Sequence, residues 1–281
     1  MDISVGLPNS VPGASGADLL TWARLAEEAG FASLSVGDRL VWPGTEPLLT
    51  LAAAAAATER IRLSLDVLIA SARADVALLA AQTATLQHLS GGRLVLGVGA
   101  GGRSDDFEVS GTSFAGRGKR LDETLLALRS LWSSGTVGPA LDQQPPVLIG
   151  GRTDAALERM ARHGDGTVVV APPAQFAARA AQARSVWEAA RRDGQPKLVA
   201  YSYFALGSSA VELAEKQLLS YYAFMGPMAS MFAGSALTSE DAVTAAVAAY
   251  QEAGADELVL VPCSSSPDQL TQLAKVVKDL G

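Results

Sequence analysis

The chain holds only two histidines and one cysteine in 281 residues, and those scarcities remove several kinds of chemistry at once. A single cysteine, Cys263, permits no internal disulfide and suits a reducing, cytoplasmic setting. Two histidines, His88 and His163, supply the parts of neither a His-based metal centre nor a serine–histidine–aspartate triad. Both are expected near helix ends, away from strand C-termini, in structural roles. No basic segment followed by an apolar stretch opens the sequence, so no export signal is expected. The longest apolar run, Leu48 to Ala57, is too short and too alanine-rich to span a bilayer. Basic residues are also in deficit, 22 against 29 acidic ones, and the net charge of −7 argues against nucleic acid or an anionic membrane as partner. These absences leave a soluble, acidic, cytoplasmic protein that meets a small molecule.

What is present is core material. Apolar residues make up 49% of the chain and charged ones 18%, enough for a sizeable interior. Strand patterns fall at Ile3–Leu7, Ser33–Val36, Ile61–Leu68, Arg93–Val98, Pro146–Ile149, Thr167–Val170, Lys197–Leu206 and Glu257–Val261. Helical patterns lie between them at Gly16–Ala29, Pro47–Thr58, Asp75–Leu89, Arg120–Trp132, Thr153–Arg162 and Pro173–Arg192. A long helical region spans about 209–253, broken near Gly226–Pro227 and Gly234, and Pro267–Leu280 closes the chain. Residues 101–118 read as a polar, glycine-rich loop. Several strands are continuous apolar runs, which suits a parallel sheet covered by helices. Strand–helix alternation over the whole length, with no interdomain linker, predicts one domain, 1–281, of α/β class. The expected fold is a single (β/α)₈ TIM barrel, which typically needs about 250 residues, with an added helical region between strands seven and eight.

The densest signal is LQHLSGGRLVLGVGAGG at 86–102. Gly97, Gly99 and Gly102 fit G-x-G-x-x-G, the dinucleotide fingerprint. That motif belongs in the first strand–helix turn of its unit, with an acid ending the next strand about 20 residues on. Here three strands precede it, Asp122 and Glu123 sit inside the helix RLDETLLALRSLW, and the next strand begins only at Pro146. Nicotinamide dinucleotide binding by this motif is therefore excluded. The glycines are expected instead to clear space where a strand leaves the sheet.

LSGGRLVLGVGAGG, followed by Glu108, Gly111, Arg117 and LDETLLALRSLW, resembles the central signature of the luciferase-like flavin and deazaflavin oxidoreductases. PLLTLAAAAAATERIRLSLDVL at 47–68, Arg73, PVLIGG at 146–151 and HGDGTVVV at 163–170 resemble the flanking segments of that family. The resemblance is strong over residues 3–170 and one of layout beyond. It implies an isoalloxazine-type ring across the C-terminal mouth of the barrel. It also implies either hydride transfer with the deazaflavin coenzyme F420 or oxygen chemistry with reduced FMN, the latter needing a partner flavin reductase. The compact length and the third- and fourth-strand motifs look more like the F420 branch. A flavin-binding barrel without catalysis is the other reading, because no certain acid or base emerges.

The resemblance also marks candidate residues. Asp66, Val67 and Leu68 end strand three, where the family's backbone can bulge behind the ring, sometimes through a cis peptide without proline. Ala100 and Gly101 leave strand four beside the ring. Gly150, Gly151 and Arg152 leave strand five just before a helix, where N–H groups and an arginine suit a phosphate; Val170 and Ala171 add backbone contacts after strand six. Asp38, Arg39 and Trp42 follow strand two as candidate catalytic residues. In the family's sugar-phosphate dehydrogenases the corresponding places carry a histidine near a tryptophan, and an acid where this chain has Gly102. Arg39 is neither acid nor base near neutral pH, though it binds carboxylate or phosphate well, and Asp38 and Arg39 alternatively form a surface ion pair. Cys263 reads as an apolar filler. The aromatic, methionine-rich stretch 221–232 reads as a pocket cap, a homodimer surface or helix core.

Overall fold

A computed structural model describes residues 1–278. Helix boundaries follow local chemistry. Ser15 caps α1 (Gly16–Glu28) in a reciprocal capping box with Asp18, and Glu46 with Pro47 starts α2 (Pro47–Ala57). Asp75 caps α3 (Val76–Leu89) through Leu78 N–H. Gly116 and Gly135, at φ 70° and 61°, bound α5 (Arg117–Ser134) in left-handed conformations that favour glycine.

These helices alternate with eight strands: β1 (Asp2–Gly6), β2 (Ser33–Val36), β3 (Arg62–Leu68), β4 (Leu94–Gly99), β5 (Val147–Gly150), β6 (Gly166–Val169), β7 (Lys197–Phe204) and β8 (Glu257–Pro262). All neighbours pair in parallel, and β8 returns to β1, closing the barrel. The remaining helices are α4 (Ser104–Val109), α6 (Asp154–His163), α7 (Pro173–Ala189), α8 (Ala210–Tyr221), α9 (Met228–Gly234), α10 (Glu240–Glu252) and α11 (Pro267–Lys278). The chain is a (β/α)₈ barrel, as its alternation predicts, with α8–α10 between β7 and β8.

One segment departs from expectation. Residues 101–118 are not one loop, because Ser104–Val109 forms α4 and α5 begins at Arg117. Asp105 and Asp106 lie in the first turn of α4, where the helix dipole favours carboxylates. The expected end of the closing helix at Leu280 lies outside the described residues.

The main core lies between sheet and helices, where Leu34, Leu63, Leu65, Leu96 and Ile149 meet Trp22, Leu51, Leu79 and Leu125. The barrel interior is divided differently. Leu148, Val168, Val199, Tyr201, Val259 and Val261 form an apolar cluster. Ser4, Ser33, Ser35, Ser64, Asp66 and Glu257 are buried polar groups on β1, β2, β3 and β8. At the N-terminal end Glu257 Oε1 accepts from Ser4 Oγ at 2.6 Å and Ser33 Oγ at 2.7 Å, while Arg62 bridges Asp2 and Glu257 at 2.7 and 3.1 Å. A cavity of about 270 Å³ opens among these groups and reaches Ser64.

β3 carries an irregularity. Its pairing with β4 shifts register between Leu65 and Leu68, and the Asp66–Val67 peptide is cis. The side chain of Val67 fills space over two glycines: a Cβ on Gly99 would stand 2.9 Å from Val67 Cγ2, and one on Gly150 would stand 2.7 Å from Cγ1.

Candidate functional site

The C-terminal ends of the strands surround a cavity of about 230 Å³. β2 sends Asp38 and Arg39 to its rim, β3 supplies Asp66, Val67 and Ile69, and the exit of β4 supplies Gly101, Gly102 and Arg103. β7 contributes Tyr201 and Tyr203, and the end of α8 contributes Tyr221 and Tyr222. Four of the five tyrosines in the chain thus meet here. A side cleft of about 50 Å³ shares Val170, Tyr201 and Tyr203 and runs out to Arg152 and Gln175.

The tyrosines form a packed wall. Tyr203 and Tyr222 hydroxyls lie 2.6 Å apart, and Tyr222 stacks on Phe232 with centroids 4.0 Å apart. Burial raises the Tyr222 hydroxyl to about 12 and lifts Tyr201 and Tyr203 well above the usual phenol value. They therefore act as neutral hydrogen-bonding groups. The stretch 221–232 caps the mouth: Tyr221, Tyr222 and Phe224 line the main cavity, while Met231 and Phe232 line the side cleft.

Asp38 and Arg39 do not pair with each other. Asp38 accepts from Ile69 N–H at 2.9 Å and from Arg73, whose Nη2 lies 3.0 and 2.9 Å from its two oxygens. Burial raises the Asp38 carboxyl, against the lowering influence of Arg73. Arg39 donates to Tyr221 O at 2.7 Å and Val41 O at 3.1 Å, and its guanidinium lies 4.7 Å from the Trp42 ring and 4.8 Å from that of Tyr221. Its two Nη groups thus strap the end of α8 to the loop after β2. Trp42 Nε1 donates to Ser10 O at 2.7 Å, and its ring meets Tyr221 edge-on at 5.2 Å. Trp42 stands behind the lining rather than in it.

Asp66 is one of three buried carboxyls that line the cavity, with Asp38 and Asp106. Ser64 Oγ donates to Asp66 Oδ1 at 3.0 Å, whereas Oδ2 has no hydrogen-bond partner among the described residues. Burial raises Asp66 to about 6. Val67 joins the cavity, but Leu68 is fully buried in the outer core and faces the helices. Ala100 O accepts from Ser71 Oγ at 2.9 Å, and Gly101 O accepts from Arg117 Nε at 2.9 Å. The glycines expected to clear space at the exit of β4 do so largely for the protein's own side chains. Gly99 makes room for Val67, and Gly101 for Ile69 and Phe107, with a Cβ there 2.7 and 2.9 Å from them. Only Gly102 of the three has open space at its Cβ position, and it lines the cavity.

Gly150 ends β5 and Gly151 follows it, and Arg152, just before α6, lines the side cleft. A Cβ on Gly151 would stand 2.7 Å from Ala156 Cβ on α6, so strand and helix approach closely. Val170 lines both cavities and Ala171 the side cleft, and Ala171 O accepts from Tyr250 OH at 2.8 Å.

The sequence reading missed several lining groups. Tyr201 and Tyr203 alternate on β7, and the two-residue period of a strand places both on the interior side; on β3 the same period places Ser64, which was missed, on the side of Asp66, which was expected. Asp106, on α4, accepts Val41 N–H at 2.8 Å, and Arg103 pairs with Asp105. No local signal tied α4 to the mouth.

His163 lies at the end of α6, 3.9 Å from Asp122, and burial lowers its imidazole. His88 borders a groove with Gly91 and Gly92 at the opposite end of the sheet. Cys263 packs among alanines, its thiol pushed up to about 12 by burial. Among the described residues no cluster of His, Cys, Asp and Glu could hold a metal ion, and no helix is long and apolar enough to cross a membrane.

Known proteins share this fold. The structure superposes on a monooxygenase, RslO1, from Streptomyces bottropensis with TM-score 0.82 and 22% identity, covering 99% of this chain and 98% of that one. It superposes on an F420-dependent secondary alcohol dehydrogenase with TM-score 0.81 and 19% identity, covering both chains fully. By sequence it is 32% identical over 185 residues to an uncharacterized protein of Mycobacterium tuberculosis, covering 51% of this chain and 64% of that protein. It is 32% identical over 189 residues to an F420-dependent glucose-6-phosphate dehydrogenase of Amycolatopsis mediterranei, covering 59% of this chain and 57% of that enzyme. The match thus spans less than two thirds of either relative's length. The profile of the luciferase-like monooxygenase family matches residues 1–279, and the chain belongs to that family.

Proposed function

We propose that the protein is an oxidoreductase that binds coenzyme F420 and moves hydride to or from a small organic substrate. The observation that carries this reading is the shape of the mouth. An aromatic and aliphatic slot of Val67, Val170, Tyr201 and Tyr203 runs into a side cleft lined by Arg152 and, at the start of α7, by Pro172 and Gln175. A flat heterocycle needs such a slot and its phosphate needs hydrogen-bond donors and positive charge, which Arg152 and Gln175 offer, so the residues present fit a deazaflavin. Val67 and Tyr201 would hold the ring, and Gly151 and Arg152 the phosphate. When bound, a deazaflavin supplies a site that accepts or donates hydride.

The chain's own residues do the rest. Tyr203 and Tyr222 offer neutral hydroxyls to a substrate oxygen, Arg39 holds the cap closed through Tyr221, and the tyrosine wall excludes water. The F420-dependent relatives favour the deazaflavin. Arg39 and Gly102 stand where sugar-phosphate dehydrogenases of the resembling family carry a base and an acid, so sugar-phosphate oxidation by that pair is not proposed. Titrating purified protein with coenzyme F420 and with FMN, following cofactor fluorescence, tests the reading. Tight F420 binding is expected. Binding of FMN alone would instead favour a reduced-FMN monooxygenase fed by a flavin reductase, and binding of neither would overturn the oxidoreductase reading.

A further inference from the structure

Resting on that oxidoreductase reading, the geometry points to Asp66 as the group that holds the proton exchanged during hydride transfer, resupplied through Ser64 from the N-terminal cavity rather than from the mouth. A ring and a substrate filling the mouth exclude bulk water, so an acid placed there needs a second route to solvent. β3 supplies one. Ser64 and Asp66 are two residues apart and both face the barrel interior. Ser64 lines the cavity of about 270 Å³ at the N-terminal end, and Asp66 lines the cavity of about 230 Å³ at the mouth. The 3.0 Å hydrogen bond from Ser64 Oγ to Asp66 Oδ1 joins the two spaces.

The free oxygen strengthens the case. Asp66 Oδ2 and Ser35 Oγ are both buried without hydrogen-bond partners among the described residues, and Ser35 stands beside the carboxyl group. Ser35 can donate to that oxygen when it is a carboxylate, which lowers the Asp66 carboxyl, and can accept from it when it carries a proton, so both protonation states have a partner. Of the other mouth carboxyls, Asp38 is held by Arg73 and Ile69 N–H. Asp106 accepts Val41 N–H at Oδ1 and its Oδ2 is unpartnered among the described residues like that of Asp66, but Asp106 lies on α4 and has no hydrogen bond to a group lining the N-terminal cavity. Around Asp66, β2 presents Ser35, β3 presents Ser64, β7 presents Tyr201 and β8 presents Glu257, whose negative charge raises the Asp66 carboxyl further. Arg62 and Lys197 are held by Glu257 and Asp2. β4 presents only Gly97, where a Cβ would stand 3.2 Å from Oδ1.

In the reductive direction a bound reduced deazaflavin would supply a hydride, with its two electrons, to the carbon of a polarised C=O or C=N bond and would itself be left oxidised. The π pair moves to the heteroatom, which takes the proton from Asp66 and leaves a carboxylate. Ser64 Oγ then passes its proton to Asp66 and regains one from water in the N-terminal cavity. Oxidation runs the same steps backwards.

Carboxyl ¹³C NMR of aspartate-labelled protein tests this, with the Asp66 signal identified by its loss in Asp66→Asn. In the free wild type the expected midpoint is near pH 6, and Ser64→Ala, which removes a donor to the carboxylate, moves it upward. With the mouth filled by F420 or FMN, the wild-type signal still follows pH, whereas in Ser64→Ala the response slows at least tenfold. A midpoint below pH 4.5 in a protein that binds F420 or FMN overturns the role of Asp66 alone. Loss of the wild-type response on filling the mouth, or an unslowed response in Ser64→Ala, overturns the route. Binding of neither cofactor overturns the oxidoreductase reading itself, which the free-protein titration does not depend on.

Discussion

Val67 occupies the volume that a side chain at Gly150 would need, its Cγ1 lying 2.7 Å from the position of a Cβ there. The contact links three strands, because Val67 sits on the irregular end of β3 and also covers Gly99 on β4. Gly150→Ala is expected to destabilise the protein by about 1–3 kcal/mol through overpacking. Val67→Ala alone leaves a void, but combined with Gly150→Ala it relieves the clash. Chemical denaturation of the four proteins should give a coupling energy of about 1 kcal/mol or more. Additive effects would mean that the two side chains do not compete for this space.

The Asp38–Arg73 pair predicts a stability effect that depends on pH. The Asp38 side chain is fully buried and that of Arg73 is 20% exposed, with Glu46 a second acid at 3.5 Å. Removing the guanidinium in Arg73→Ala leaves a buried carboxylate without a counter-charge, at a cost of about 3–5 kcal/mol near neutral pH. At acid pH Asp38 takes up a proton and that charge disappears, so the deficit relative to wild type should shrink as pH falls. Denaturation curves at pH 7 and pH 4.5 check this, and an equal deficit at both would rule it out.

Strand–helix alternation made the barrel legible, because eight apolar runs separated by helical patterns have few other ways to bury themselves. The glycine-rich exit of β4 was legible as a place of close approach. What approaches was not: Val67 and Ile69 come from β3, and the shifted register that aims Val67 across β4 and β5 leaves no trace in composition. Arg39 illustrates the same limit. Its type suggests anion binding, yet Tyr221 O, 182 residues away, takes one of its donors. The serine-and-acid half of the interior was visible only as Ser33–Ser35 and Ser64–Asp66 alternation, which gains meaning once closure brings β3 beside β2 and Glu257 across β1.

Asp66 should make stability fall as pH rises. Its carboxyl is raised by burial from 3.8 to about 6, so between about pH 4 and pH 6 the unfolded chain releases a proton that the folded protein keeps. Stability is then full below the lower value, declines through the window and levels off above the upper one. The loss amounts to about 3 kcal/mol, at 1.36 kcal/mol per pH unit. Asp66→Asn should lack this slope and match or exceed wild-type stability at pH 7. A slope of unchanged size in the variant would assign the pH dependence to another group.

Arg39 tests how the mouth is kept closed. Its Nη groups donate to Tyr221 O and Val41 O, and Phe224 lies 5.8 Å beyond. Charge-assisted hydrogen bonds of this kind contribute about 1.5–3 kcal/mol, and the aromatic contacts add cation–π attraction. Arg39→Ala should therefore accelerate amide exchange across 221–232 while leaving exchange in the β-strands unchanged. Because the freed cap must then be ordered when a ligand enters, affinity for F420 or FMN should fall roughly tenfold, about 1.4 kcal/mol. Arg39→Lys should fall between the two proteins, since one ammonium cannot reproduce the forked donation to both carbonyls. Unchanged exchange in Arg39→Ala would show that the tyrosine packing alone holds the cap in place.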